Sequence, residues 1–383
     1  MTIPTWIWQQ PNWPHFSWQA EQLAPLLRAC TQAQGRLLGM LGVVGTDTEV
    51  QSSLDALLQN IVTSSAIEGE HLNVGSVRSS LARRLGLNEQ ARTTPRSEGL
   101  AQLLFDATRE HPQPLDLQRL FDWHCWLFPS DESLSARPMH IGTLRGDEPM
   151  QVVSGRIDRP VVHFEAPPRS NLEEQVSDFL DWFENSRSDV GLDPLLRAGI
   201  AHFWFVTLHP FDDGNGRLTR ALTDLALAQC EQQTIRFYAM SASILDDRSG
   251  YYHILESSQK GTLDITAWLQ WFLTTLLKSL EQALARIDRV LTKARFWQAH
   301  RNHALSTEQI KVLNRLLDGG ERGFESGISA AQYQAVAKVS KATATRHLSD
   351  LLEKGCIIRL PGGGRSTRYQ VNYLAAVQGD DRR

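Results

Sequence analysis

Cysteine is scarce: the 383 residues contain four, Cys30, Cys125, Cys230 and Cys356, scattered along the chain with no Cys-x-x-Cys pair. Such spacing excludes a disulfide-framed module and reads as reduced packing residues, neither disulfides nor zinc ligands. Any apolar run long enough to cross a bilayer is also missing, and the start, Met1-Thr-Ile-Pro-Thr-Trp6-Ile-Trp8, lacks the basic and apolar regions of a signal peptide. A cytoplasmic location with no membrane partner is therefore expected. Charge of one sign is absent too: 39 Lys and Arg against 43 Asp and Glu leave a net charge of -4, which gives no overall affinity for polyanions. No internal repeat or low-complexity segment interrupts the sequence. What remains is 42% hydrophobic residues over a length that suits two or three domains with real cores.

The densest chemistry lies in His209-Pro210-Phe211-Asp212-Asp213-Gly214-Asn215-Gly216-Arg217-Leu218-Thr219-Arg220. Upstream, residues 192–208 read as an apolar, buried helix, and Pro210 blocks its continuation, so the His209 imidazole stands at a helix end. Gly214-Asn215-Gly216 permits a tight turn, after which helical periodicity resumes. The new helix presents unpaired amides and the positive end of its dipole, an anion site, with Arg217 and Arg220 at i, i+3 above it. Polyphosphate is the expected anion. Bare phosphate would repel Asp213, so that carboxylate suggests a bridging Mg2+ shared with phosphate oxygens. His209 titrates near neutral pH and can take a proton from an attacking hydroxyl.

The segment matches the signature His-Pro-Phe-x-(Asp/Glu)-Gly-Asn-Gly-Arg-x-x-Arg at every defining position and so resembles the Fic proteins, which transfer a nucleotide, usually AMP from ATP, to a protein hydroxyl. The resemblance implies that His209 is the general base, that Asp213 holds magnesium, that Gly214, Asn215 and Gly216 form an anion hole, and that Arg217 and Arg220 hold phosphates, with Leu218 and Thr219 in the same nucleotide-binding stretch. ATP and Mg2+ are the expected cofactors, and a protein bearing a Ser, Thr or Tyr hydroxyl, with self-modification included, is the expected partner.

Three further segments fit that resemblance. Ser64-Ser65-Ala66-Ile67-Glu68-Gly69 resembles the (Ser/Thr)-x-x-x-Glu-(Gly/Asn) inhibitory motif, in which the glutamate pairs with the second signature arginine, here Arg220, and leaves ATP excluded or badly oriented. Residues 141–155 and 160–168 alternate around turn residues and read as a β-hairpin flap, with Val152, Val153, Ser154 and Gly155 nearest the nucleotide. Tyr251, Tyr252 and Gln259 resemble the segment bordering adenine, where an aromatic face buries and stacks the base, although Gln259 replaces a more usual asparagine.

The expected fold is mainly α: a Fic helical core with a β-hairpin flap, then a winged helix-turn-helix. Residues 1–113 form an N-terminal helical region with the inhibitory helix at 48–69, 114–275 the catalytic domain, 276–300 a linker helix and 301–376 the winged module. Four of eleven tryptophans, Trp6, Trp8, Trp13 and Trp18, are expected to clamp the N-terminus onto the helical body. In the winged module, Lys341, Thr343, Thr345 and Arg346 suit a DNA groove, and Arg365 and Arg368 suit phosphate. Such modules also mediate protein contacts and homodimers, and the sequence leaves both open. A nucleotide-sensing DNA-binding regulator, or a de-AMPylase or other nucleotide transferase of the same fold, stands as the alternative function.

Overall fold

The computed structural model describes residues 5–41, 46–87, 92–129, 139–156, 159–232, 237–319, 324, 326–361 and 367–373. Two compact units divide the chain, residues 1–283 and 284–383.

In the first unit, helices α1 (Ala20–Leu41), α2 (Thr46–Ile67), α3 (Val74–Arg84), α4 (Pro95–Arg109) and α5 (Leu117–Leu127) precede an antiparallel hairpin, β1 (Gln151–Arg156) and β2 (Arg159–Glu165). There follow α6 (Leu172–Asn185), α7 (Pro194–Leu208), α8 (Asn215–Glu231), α9 (Met240–Asp246), α10 (Arg248–Gln259) and the long α11 (Thr266–Ala299), which runs into the second unit. Local sequence explains the starts. Asp193 caps α7 by accepting from the Leu195 amide and Pro194 takes the first position, Thr94 and Ser97 form a capping box ahead of Pro95, and Asn73 and Asp116 cap α3 and α5. From Leu195 to Leu208 every residue of α7 is buried, which makes it the central helix. It packs on α8, while α4 lies against α8 and α2 against α9.

The hairpin is shorter than expected. Residues 141–150 form no strand because their backbone polar groups go elsewhere: the Arg145 amide donates to the Pro210 carbonyl (2.9 Å) and the Gly142 amide to His124 Nδ1 (3.1 Å). The segment wraps the loop after α7 instead of extending the ladder. The N-terminal tryptophans do pack on this body. Trp6 meets Phe164 edge-on at 5.4 Å, Trp8 Nε1 donates to the Glu165 carbonyl (2.7 Å), and Trp13 packs edge-on against Trp204. The clamp thus grips the hairpin as well as the helices.

The second unit contains α12 (Thr307–Asp318), β3 (Ile328–Ser329), α13 (Ala330–Ala337), α14 (Lys341–Glu353), β4 (Ile357–Arg359) and β5 (Arg368–Val371), with the strands in the antiparallel order β3-β5-β4. Ser306, Ser329 and Ser340 cap its three helices, and Val312, Leu316, Tyr333, Leu348, Leu351 and Ile357 fill its core. Lys341, Thr345 and Arg346 are exposed on α14. Arg368 Nη1 donates to the Gly327 carbonyl (2.8 Å), which ties β5 to the residue ahead of β3. Gly327 immediately precedes strand β3, which the sequence does not signal. Arg365 lies outside the described residues.

Candidate active site

His209 closes α7 in the left-handed region (φ 49°), its amide still bonded to the Phe205 carbonyl. That conformation turns the chain and swings the imidazole toward a cleft of about 700 Å³. Nδ1 lies 3.1 Å from the Val206 carbonyl. A carbonyl only accepts, so Nδ1 carries the hydrogen and Nε2 keeps the free lone pair. Burial pushes the His209 pKa below its ordinary range, Arg145 pushes the same way, and the Val206 bond, Glu68 and Asp213 only partly offset them. The ring is therefore a neutral base at pH 7.

Residues from far along the chain fix the loop that follows. Arg145, 2% exposed, donates from Nε to the His209 carbonyl (2.9 Å). His124 accepts the Gly142 amide at Nδ1, so its Nε2 hydrogen is the one that donates to the Asp213 carbonyl (3.2 Å), and its ring stacks on Phe211 at 4.3 Å. Asp212 accepts from the His140 amide (2.9 Å) and ring (2.8 Å). Asn215 folds back to accept from the Phe211 amide (3.0 Å) and donate to the Phe211 carbonyl (2.7 Å). Its side chain holds the turn, leaving backbone amides as the donors available to an anion.

Gly214 has φ +82°, and an added Cβ would strike Leu127 and the Phe128 ring. Only glycine combines that backbone with that closeness. No side chain caps the N-terminus of α8, so its first amides and its dipole face the cleft, with the Glu68 carboxylate against Gly216. The Asp213 carboxylate, 64% exposed, stands beside them, 3.7 Å from Arg217 Nη2.

The two arginines are already engaged. Arg220, 3% exposed, donates from Nη2 to Glu68 Oε1 (2.7 Å) and from Nε to Ser64 Oγ (2.8 Å). Burial alone would raise the Glu68 carboxyl, but the charge and hydrogen bond of Arg220, with Arg217 and His209, hold it below the usual range. Arg217 donates to Glu70 Oε2 (2.6 Å), and Arg96 grips the same carboxylate bidentately at 2.9 and 2.8 Å. A Cβ on Gly216 would collide with Glu68 Oε1, so the second loop glycine admits the Glu68 side chain.

Of the residues singled out from sequence, Glu68, Val152, Val153, Ser154, His209, Asp213 to Gly216, Tyr251, Tyr252 and Gln259 meet around the cleft. Gly155 follows in β1, paired with Pro160. Leu218 and Thr219 do not meet it with side chains: both are fully buried in α8, and the Thr219 hydroxyl donates to the Asn215 carbonyl (2.7 Å). Tyr251 is 1% exposed with its hydroxyl 3.0 Å from His202, so Tyr252, 38% exposed, is the aromatic available to a ligand. Gln259 donates to Thr207 (3.2 Å), and that donor is already used. His163 ties the flap down, bridging Ser154 Oγ (2.6 Å) and Glu256 (2.8 Å). Sequence reading missed Glu70, Arg96, His124, Arg145 and His163. Only Glu70, two residues beyond Glu68, carried a local signal.

Residues 114–227 match the Fic/DOC family model, and residues 6–87 match a domain of unknown function, DUF4172. The protein adenylyltransferase fic-1 of Caenorhabditis elegans is 38% identical over 92 residues, covering 23% of this chain and 18% of that protein. The protein adenylyltransferase Fic of Nematostella vectensis is 24% identical over 238 residues, 60% of this chain and 49% of its own length. The chain thus spans about half or less of these curated relatives. A Fic family protein from Desulfovibrio desulfuricans G20 shares the fold with a TM-score of 0.50 at 20% identity, covering 91% of this chain and 96% of that one.

Proposed function

Because residues 114–227 are a domain of the Fic/DOC family, we propose that the protein is an autoinhibited adenylyltransferase that moves AMP from ATP to a Ser, Thr or Tyr hydroxyl of a protein, itself included. The observation carrying this reading is the convergence of a neutral His209, its Nε2 free, with the uncapped start of α8 in one cleft.

The acceptor hydroxyl gives its proton to Nε2 as its oxygen attacks the α-phosphorus. An O–P bond forms, the α–β anhydride bond breaks, and pyrophosphate leaves. Amides of Gly216 and its neighbours, with the α8 dipole, stabilise the charge growing on the phosphoryl oxygens. Arg217 and Arg220 serve the β- and γ-phosphates when Glu70 and Glu68 release them. Tyr252 offers the adenine an aromatic face, and Val152 to Ser154 line the flap under which the acceptor segment lies. Asp213, an exposed carboxylate beside the anion site, fits Mg2+, which takes one or two carboxylates plus phosphate oxygens and would neutralise the leaving pyrophosphate.

In the resting state Glu68 holds Arg220 away from a terminal phosphate. Incubation with α-labelled ATP and magnesium should give faint labelling of wild type, strong labelling of Glu68→Gly and none of Glu68→Gly/His209→Ala. A charge-assisted hydrogen bond contributes roughly 1.5–3 kcal/mol, so the gain should be about 10- to 150-fold. If Glu68→Gly labels neither itself nor any lysate protein, the proposal fails.

A second activity rests on the second unit. Exposed Lys341, Thr345 and Arg346 on α14 fit the recognition helix of a winged helix-turn-helix that binds DNA. Retardation of duplex DNA that weakens steeply with salt, and weakens in Arg346→Ala, is the expected result, and salt-independent or absent retardation removes it.

A further inference from the structure

We propose that His300, His303 and Cys356 form a zinc(II) site in the second unit. Their donor atoms converge: His300 Nδ1 lies 3.1 Å from His303 Nδ1, and Cys356 Sγ lies 3.6 Å from the first and 3.9 Å from the second. Zinc bonds of about 2.0–2.1 Å to nitrogen and 2.3 Å to sulfur at tetrahedral angles put donors about 3.3–3.6 Å apart. The three observed edges match a tetrahedral face to within a few tenths of an ångström.

The same cluster is poorly explained as packing. Cys356 is fully buried and His300 is 5% exposed. Two imidazole Nδ1 atoms face each other, so at most one can donate, and His300 Nε2 is buried with no hydrogen-bond partner. Zinc on both Nδ1 atoms removes the conflict between the two facing nitrogens and leaves the hydrogen of each ring on Nε2. Phe296, 4.5 Å from the His300 ring centroid, fixes that ring in place.

Chemistry selects the ion. Two imidazoles and a thiolate are borderline-soft ligands with no carboxylate, which suits zinc and disfavours magnesium or calcium. His303 is exposed, so water completes the fourth position. Binding releases the Cys356 thiol proton to solvent as the S–Zn bond forms. The ion would join the turn that ends α11 to the residue before β4, tying two segments 53 residues apart. The signal in the sequence is His300-x-x-His303 with a distant cysteine, a spacing invisible to a search for cysteine pairs.

Cobalt(II), which reports thiolate ligation, tests this on the full tag-free chain after chelator dialysis. Wild type should bind one cobalt with a thiolate-to-cobalt charge-transfer band and intense tetrahedral d–d bands, all abolished by one equivalent of zinc. Cys356→Ser should lose the charge-transfer band, and His303→Ala, an exposed position that leaves the core intact, should bind more than about 100-fold more weakly. Zinc should raise the unfolding temperature of wild type but not of His303→Ala. A wild type without the band, a band that survives Cys356→Ser, or unchanged affinity in His303→Ala overturns the assignment.

Discussion

Replacing Glu70 by Gln tests whether the second carboxylate restrains Arg217 as Glu68 restrains Arg220. Glu70 accepts two hydrogen bonds from Arg96 and one from Arg217, and the three side chains are 27%, 14% and 8% exposed. Burial would raise its carboxyl, yet the two guanidinium groups hold it low, so it is an anion at pH 7. Both guanidiniums also lie over the Phe128 ring, at 5.4 and 5.2 Å, so they cannot separate freely once the charge between them is gone. Breaking a buried pair costs about 3–5 kcal/mol. Glutamine keeps one acceptor and the site is partly wet, which lowers the expected loss to about 2–3 kcal/mol. For a unit of this size that is a fall of about 4–12 °C in Tm by calorimetry. Mg-ATP should then restore more of the Tm than it adds to wild type, because its phosphates replace the missing anion beside Arg217. Glu173→Gln, which removes a surface partner of Arg169 that is 73% exposed, should change Tm by less than about 2 °C. An unchanged Tm in Glu70→Gln, or a nucleotide shift equal to that of wild type, refutes the reasoning.

The rate of label transfer by Glu68→Gly should be flat from pH 8 to 7 and fall only below pH 6.5, since burial holds His209 under that value; a midpoint above 6.5 contradicts the tautomer and base assignment. Stability should fall on the acid side. His124 and His202 are buried and pushed down to about 4 and about 3, so below pH 6.5 the unfolded chain binds protons that the native chain refuses. Each contributes about 1.4 kcal/mol per pH unit, and urea unfolding should show up to about 4 kcal/mol less stability at pH 5 than at pH 7. Gly214→Ala should abolish transfer and lower stability by at least about 1–2 kcal/mol, because the left-handed backbone and the Leu127–Phe128 wall both reject a methyl group; retention of activity would show that the loop is looser than its contacts imply.

The loop from His209 to Arg220 is readable because its logic is local. A proline that ends a helix, a glycine that must turn left and a helix start that must bind something are each decided within a few residues. The Glu68 motif was readable only through resemblance, since nothing near it says that Arg220, 152 residues on, would meet it. Arg145 and His124 were not readable at all. They act on the backbone of the loop, and a carbonyl in need of a donor leaves no trace in sequence. The hairpin is overextended in the sequence for the same reason: alternation at 141–150 looks like strand until His124 of α5 and the loop after α7 claim its amides. The contact of Arg368 with Gly327 is not legible because β3, two residues long, falls below any periodic signal.

Under the proposed function, the restraint sits at the end of α2. Earlier in that helix Asn60, 4% exposed, donates to Asp224 Oδ2 (2.6 Å) and accepts from the Ser241 amide (3.3 Å), fastening α2 to α8 and α9. Beyond Asn60 the chain reaches Glu68 in two turns, and α2 stops at Ile67 before Gly69, which sits in the left-handed region with open space around it. Glu68 and Glu70 flank that glycine. Their grips on Arg220 and Arg217 are therefore not independent: a change of a few dihedral angles between Ser64 and Glu70 would withdraw both carboxylates together. That would free the α8 amides and two guanidiniums for an added polyphosphate, with Asp213, 3.7 Å from Arg217, as the remaining anion. Under the proposed function, the anion site and its restraint would form one electrostatic unit, with two glutamates in the place that the phosphates of the substrate take.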